Sequence, residues 1–407
     1  MSKLALLGGT PAKTKSFPQW PMYDEREQKA LMQVLESRVW WRTPGTQTLQ
    51  FERDFATFHQ AKHGIAITNG THAIEVALAA AGIGPGDEVI VPDATFVATA
   101  SAVLFAGALP VLVDVEADSY CLDPDAAEAA ITPRTKAMLV VHMGGRIADM
   151  DRLLALAHKH DLILLEDCAH AHGSTWKGQF AGTFGLGGTF SFQSTKTMTA
   201  GEGGMILTND DDFERLARSV HDCGRMPGKW FYDHYIYGSN YRMTEWQGAV
   251  LSVQLERLEE QVNTRHRNGR LLDELLADVE GITPQSHDNV TRNGHYAYIF
   301  HYDAAAFAGV DTSRFTEAIQ AEGVPIQAAY PPLHKLDVFT SGAYKSRLCA
   351  DQASEDHAFL RGSFPNSHRQ AYETIWLPQY TLLGDEADMR EIVQAIRKIQ
   401  QQARDLL

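Results

Sequence analysis

Apolar positions along this chain come in short blocks separated by segments of helical spacing. Glu88-Val89-Ile90-Val91-Pro92, Leu109 to Val115, Ala137 to His142 and Leu162 to Asp167 read as strands apolar on both faces. Between them, Ala98 to Phe105, Pro124 to Ile131 and Asp149 to His160 carry helical patterns. The last turns Leu153, Leu154, Leu156 and Ala157 to one side. Alternation of this kind predicts an α/β fold with a large, mostly parallel mixed sheet covered by helices on both faces.

The pattern changes further along. Thr189 to Gln193 and Met205 to Thr208 read as sheet strands joined by a Gly-rich loop. Glu245 to Val262 reads as a long helix, and Tyr296 to Tyr302 alternates like a half-exposed strand. After Gly384 a terminal helix places Met389, Ile392, Val393, Ile396 and Ile399 on one face. The expected organisation is a large domain over residues 1–262, including an N-terminal segment, and a smaller C-terminal α+β domain over 263–407. No repeat or low-complexity segment interrupts it.

Charge and cysteine content narrow the partners. With 51 acidic against 36 basic residues, the surface repels nucleic acid and anionic membranes, and no Lys/Arg run offsets this. Neither is expected as a partner. The four cysteines, Cys121, Cys168, Cys223 and Cys349, form no C-x-x-C pair, which suits a reducing, cytoplasmic setting. Ala94 to Val113 holds no charge over 20 residues, but Gly107 and Pro110 interrupt it. A buried helix followed by a buried strand explains it better than a membrane span. Met1 to Gly9 is too short an apolar run for a signal peptide. The sequons at Asn69 and Asn289 are chance matches in a cytoplasmic chain.

Three segments carry chemistry. Asp167 ends an apolar strand, where open α/β sheets bind ligands, although an aspartate there also caps helices. Lys196 lies just past another strand, amid Ser194, Thr195, Thr197 and the Gly201-Glu202-Gly203-Gly204 loop. Most lysines are solvated surface groups. In a dry pocket, however, the amine loses its proton more readily and becomes a nucleophile toward aldehydes. Thr68-Asn69-Gly70-Thr71 opens an apolar helix, a place for an anion or simply a cap. His170 and His172 are spaced i, i+2, but no carboxylate or cysteine cluster of ligand spacing joins them, so no metal is expected.

The order and joint content of these pieces resemble the DegT/DnrJ/EryC1/StrS family of sugar and cyclitol aminotransferases. Further matching pieces are Phe51-Glu52, Gly86-Asp87-Glu88, Thr95-Phe96-Val97-Ala98-Thr99, Ala148-Asp149-Met150, His172-Gly173 and Gly238 to Met243. The resemblance covers nearly the whole chain. It implies the aspartate aminotransferase-like fold of pyridoxal-5′-phosphate (PLP) fold type I. Lys196 would then hold the cofactor as a Schiff base and shuttle a proton. Asp167 would pair with the protonated pyridine nitrogen, Phe96 would stack on the ring, and Gly70, Thr71 and Ser191 would hold the phosphate. His170 falls near the ring hydroxyl. Asn240 would reach the cofactor phosphate of a neighbouring subunit in a homodimer with composite sites, where Arg242 would meet a substrate carboxylate. His334 resembles a substrate-side histidine.

The implied reaction moves an amino group from glutamate or glutamine to a ketone of a sugar or cyclitol, in antibiotic or polysaccharide biosynthesis. The segments around His170 and Ser191 are similar to the branch of scyllo-inosose aminotransferases and 3-amino-5-hydroxybenzoate synthases, whereas Trp376-Leu377-Pro378-Gln379 is nearer the general sugar pattern. A PLP enzyme that dehydrates and aromatises its substrate is the alternative. A non-catalytic PLP-binding regulator is a weaker one, since no basic DNA-binding extension is present. Sugar 3-dehydratases of the family replace the lysine with histidine, so Lys196 argues against that activity.

Overall fold

The computed structural model describes residues 3–226, 228–354 and 359–407. The first two positions of the N-terminal run read above lie outside them.

Seven strands form the main sheet, in the order His63–Ile67, Gly204–Thr208, Gly187–Ser191, Ile163–Asp167, Thr135–Val141, Glu88–Pro92, Leu109–Val113. Gly204–Thr208 pairs antiparallel with both its neighbours, and the remaining pairs are parallel. The sheet is therefore mostly parallel and mixed, as its fully apolar strands predict. Helices Gly70–Ala80, Ala98–Phe105 and Met150–His160 connect the strands and bury apolar faces against them. No helix among the described residues is long and apolar enough to cross a membrane.

Several expected elements differ in extent, the long helix most of all. The long helix runs Glu245–Leu276, past the expected domain boundary at 262/263. Its extension, Asn263 to Arg270, is polar and contains Gly269, so the sequence pattern fades there. Tertiary contacts carry it instead. Buried Arg265 donates to Gln379 Oε1, and Asn268 Nδ2 donates to the carbonyls of Leu382 and Gly384. At Gly269 a Cβ would stand 2.3 Å from His295 Nε2, so a side chain there would have to displace the buried His295 ring. The strand Gly187–Ser191 begins two residues earlier than its apolar pattern suggested, because Gly187 and Gly188 read as loop.

The strand expected to be half exposed is Ala297–Tyr302, and it is almost entirely buried. It lies between two apolar clusters. Tyr296, Ala297 and Ile299 join the core of the main sheet, while Tyr298, Phe300 and Tyr302 join a second core built with the C-terminal helix Glu386–Gln401. Alternation here separates two cores rather than core from water. Its partner strand Thr374–Pro378 does the same, with Trp376 on one side and Ile375 and Leu377 on the other. Leu4 packs into the second core, and Lys398 of the helix Glu386–Gln401 donates to the Thr10 carbonyl at 2.8 Å.

Replacing Gly188 by alanine would place a Cβ 2.1 Å from the Gly182 Cα, in the strand beside Asp167. We expect Gly188→Ala to lower the denaturant midpoint by a destabilisation of about 1–3 kcal/mol or more. Gly178→Ala, in open space at φ +88°, should cost only about 1–2 kcal/mol of backbone strain. Equal midpoints for Gly188→Ala and the parent protein would contradict the packing described.

Candidate active site

Period-two alternation sends the adjacent carboxylates of Glu166 and Asp167 in opposite directions. Glu166 faces the inner side and is fully occupied. Its oxygens accept from the amides of Gly182, Phe184 and Gly185 at 2.8–3.0 Å and from His142 Nε2 at 3.0 Å. His142 Nδ1 accepts the Ala148 amide, which fixes the proton on Nε2. His142, Glu166 and Cys168 do gather three ligand-type atoms, but these amides account for the carboxylate without a metal.

Asp167 instead opens into a cavity of about 600 Å³ at the carboxyl ends of the parallel strands. Among the described residues two donors reach it: Thr99 Oγ1 at 2.9 Å and the Ala169 amide at 3.1 Å. Burial raises its pKa above the usual carboxylate value, against the pull of those donors and of Lys196. Lys196 lines the same cavity and is 9% exposed. Burial lowers its pKa, offset in part by Asp167 and Tyr296. One desolvated acid and one desolvated amine thus share one space.

Opposite them lies the N-terminus of the helix Gly70–Ala80. The Asn69 side chain caps the His72 amide at 2.9 Å. The amides of Gly70 and Thr71 are in the first turn, where no helical carbonyl is available to them. Ser191 faces Gly70 so closely that a Cβ on residue 70 would come 2.6 Å from the Ser191 Cβ. Gly70, Thr71, Phe96, Asp167, His170, Ser191 and Lys196 all line the cavity. Phe96 is 52% exposed, its ring at the mouth.

His170 and His172 part company. His170 stacks on Tyr296 and points Nε2 at the Tyr330 hydroxyl, 3.2 Å away. His172 is packed among Phe55, Phe190 and Phe192, outside the lining. Burial holds both imidazoles well below their ordinary pKa, hence neutral.

Asn240, Arg242 and His334 do not line the cavity of this chain. Arg242 pairs with Asp222, next to the Asn240–Asp222 bridge. His334 Nδ1 meets Asp93 Oδ2 at 2.7 Å, its ring stacked on Phe364. Sequence reasoning missed Thr99, Tyr296 and Tyr330. Thr99 lay in a matched motif one helical turn beyond Thr95, a usable signal. Tyr296 and Tyr330 come from distant segments and gave none.

A model of the DegT/DnrJ/EryC1/StrS aminotransferase family matches residues 21–397. A 3-amino-5-hydroxybenzoate synthase of Amycolatopsis mediterranei is 40% identical over 390 residues, 94% of this chain and 97% of that protein. An L-glutamine:2-deoxy-scyllo-inosose aminotransferase of Streptomyces kanamyceticus is 39% identical over 420 residues, 98% of this chain and 97% of that one. A crystal structure of 3-amino-5-hydroxybenzoic acid synthase superposes with a TM-score of 0.85 at 38% identity, covering 95% of this chain and 99% of that chain.

The depressed pKa of Lys196 makes a prediction about the cofactor-free protein. A base whose folded pKa lies below its unfolded value binds more protons unfolded, so its penalty acts below the folded pKa and disappears as pH rises to about 10.5. Lys196→Met should therefore be more stable than the parent protein at neutral pH, with the gain shrinking toward pH 10.5, in urea titrations across that range. A gain that does not vary with pH would contradict the desolvated amine.

Proposed function

This chain belongs to the DegT/DnrJ/EryC1/StrS aminotransferase family and is an aminotransferase; on that premise we propose that it uses PLP to move an amino group from glutamine or glutamate to a ketone of a cyclitol or sugar. The observation that carries the reading is the pairing of buried Lys196 with buried Asp167 in one cavity, facing a helix N-terminus.

The donor set fits the cofactor. The amides of Gly70 and Thr71 with the Ser191 hydroxyl suit a phosphate, and the narrow gap at Gly70 keeps that corner free of side chain. Asp167 suits a protonated pyridine nitrogen, and Phe96 a ring face. Bound there, PLP supplies an electron sink for the substrate carbon that loses its proton.

The remaining work belongs to the chain. Lys196, neutralised more easily by burial, acts first as nucleophile and then takes and returns the proton at the reacting carbon. Asp167, held in one orientation by Thr99 and the Ala169 amide, keeps its charge where a cation needs it. Neutral His170 offers its Nε2 proton. Tyr330 and Phe96, 5.7 Å apart between ring centroids, narrow the cavity against water.

A cyclitol is favoured over a nucleotide-linked sugar. Among the described residues Lys196 is the one Lys or Arg in the lining, so one chain offers no cationic clamp for a diphosphate. The inosose aminotransferase among the relatives supports the same choice. In this proposal a second copy completes each site with Asn240 and Arg242. Exposed Trp40, Trp41, Trp230, Tyr232 and Tyr237 supply apolar surface for it.

The test is a panel of ketocyclitols and keto-sugars with glutamine and with glutamate, analysed for aminated product. Amination of a ketocyclitol is expected, and Asp167→Asn should lower its rate roughly a hundredfold or more while the protein still binds PLP. Near-normal turnover of Asp167→Asn would overturn its role. An aromatic product from a dehydrated ring would favour the aromatising reading, which the 3-amino-5-hydroxybenzoate synthase relative keeps open.

A further inference from the structure

Tyr296 is held on two sides. Its ring is stacked on His170 with centroids 3.9 Å apart and planes 13° from parallel. Its hydroxyl lies 3.1 Å from Thr195 Oγ1, which itself donates to Gln193 Oε1 at 2.8 Å, so the tyrosine donates to the threonine. The Tyr330 hydroxyl also interacts with that of Tyr296 and accepts from His170 Nε2. The ring is thus fixed at its tip and along one face.

The other face meets Lys196. The amine nitrogen is 4.3 Å from the Tyr296 ring centroid. A ring stacked as closely as His170 leaves no room on its own side, so the amine stands over the opposite one. The negative face of an aromatic ring attracts an ammonium, and the attraction grows when water is excluded.

We propose that Tyr296 is the positioning residue of Lys196: its free ring face seats the amine inside the cavity whenever the lysine is not covalently engaged. The inference rests on the reading of Lys196 as the cofactor lysine. During turnover the amine must be released and then return to the same carbon. A lysine side chain has several rotatable bonds, and in a dry cavity its ammonium would otherwise withdraw toward water. The groups facing it are few. Asp167 favours its charge from the strand Ile163–Asp167, His170 and His172 are kept neutral by burial, and the Tyr330 hydroxyl is engaged by Tyr296 and His170. The ring face is therefore the near neighbour, besides Asp167, that stabilises the ammonium.

The test uses full-length protein stripped of cofactor. Trace acetylation with acetic anhydride from pH 6 to 11, with peptide mass spectrometry, gives the titration midpoint of Lys196 relative to exposed Lys159. Tyr296→Leu should move that midpoint down by about one unit, the size of a desolvated cation–π contact. Tyr296→Phe keeps the ring and should titrate like the parent protein. If the leucine variant does not fold, Tyr296→Met fills similar volume without a π face and should give the same shift. An unchanged or raised midpoint in the non-aromatic variants would overturn the inference, as would an equal shift in Tyr296→Phe, which would assign the effect to the hydroxyl. A parent midpoint at the ordinary lysine value would instead overturn the reading of Lys196 itself.

Discussion

The cavity depends on keeping one carboxylate and one amine out of water together. Asp167 and Lys196 are both buried, and burial opposes the charge of each. Two desolvated ionisable groups of this kind cost stability rather than add to it. Their presence at the carboxyl edge of a parallel sheet is therefore a statement about chemistry rather than about folding. The contrast with Glu166 makes the point. That neighbour, one residue away and on the opposite face, receives four N–H donors among the described residues and ties down the loop around Gly182 to Gly185. Asp167 receives two and keeps acceptor capacity to spare.

The scaffold delivers these groups by simple means. Parallel strands end together, so the end of Ile163–Asp167 and the end of Gly187–Ser191 open on the same space, with Lys196 in the loop just beyond. The antiparallel strand Gly204–Thr208 brings the glycine loop back across, and Gly204 lies so near Asn69 that a Cβ there would come 2.4 Å from its carbonyl oxygen. That contact sets the helix N-terminus of Gly70–Ala80 against the strand that carries Ser191. The strand Ala297–Tyr302, with a core on either side, brings Tyr296 into the cavity beside Lys196.

Much of this was legible in the sequence because parallel strands are apolar throughout and the residues at their ends stand out against them. Asp167 and Lys196 were found that way, Gly70 as the opening of an apolar helix and Ser191 through the family resemblance, and all line one cavity. What escaped was long-range. The stretch Asn263 to Arg270 of the helix Glu245–Leu276 is polar and stands on contacts to residues 379–384. Tyr296 and Tyr330 reach the site from segments whose local pattern reads only as strand and proline turn. Asn240, Arg242 and His334, assigned by resemblance, lie outside the cavity of a single chain. The first two are held near Asp222, and His334 by Asp93.

The central claim is that Lys196 is the one amine placed to react with the cofactor aldehyde. The direct measurement is to add PLP to the stripped protein, reduce with borohydride and map the pyridoxyl group by peptide mass spectrometry. A single label on Lys196, absent after Asp167-preserving replacement by Lys196→Ala, is the predicted result. A label on another lysine, with Lys196 unmodified, would contradict the account.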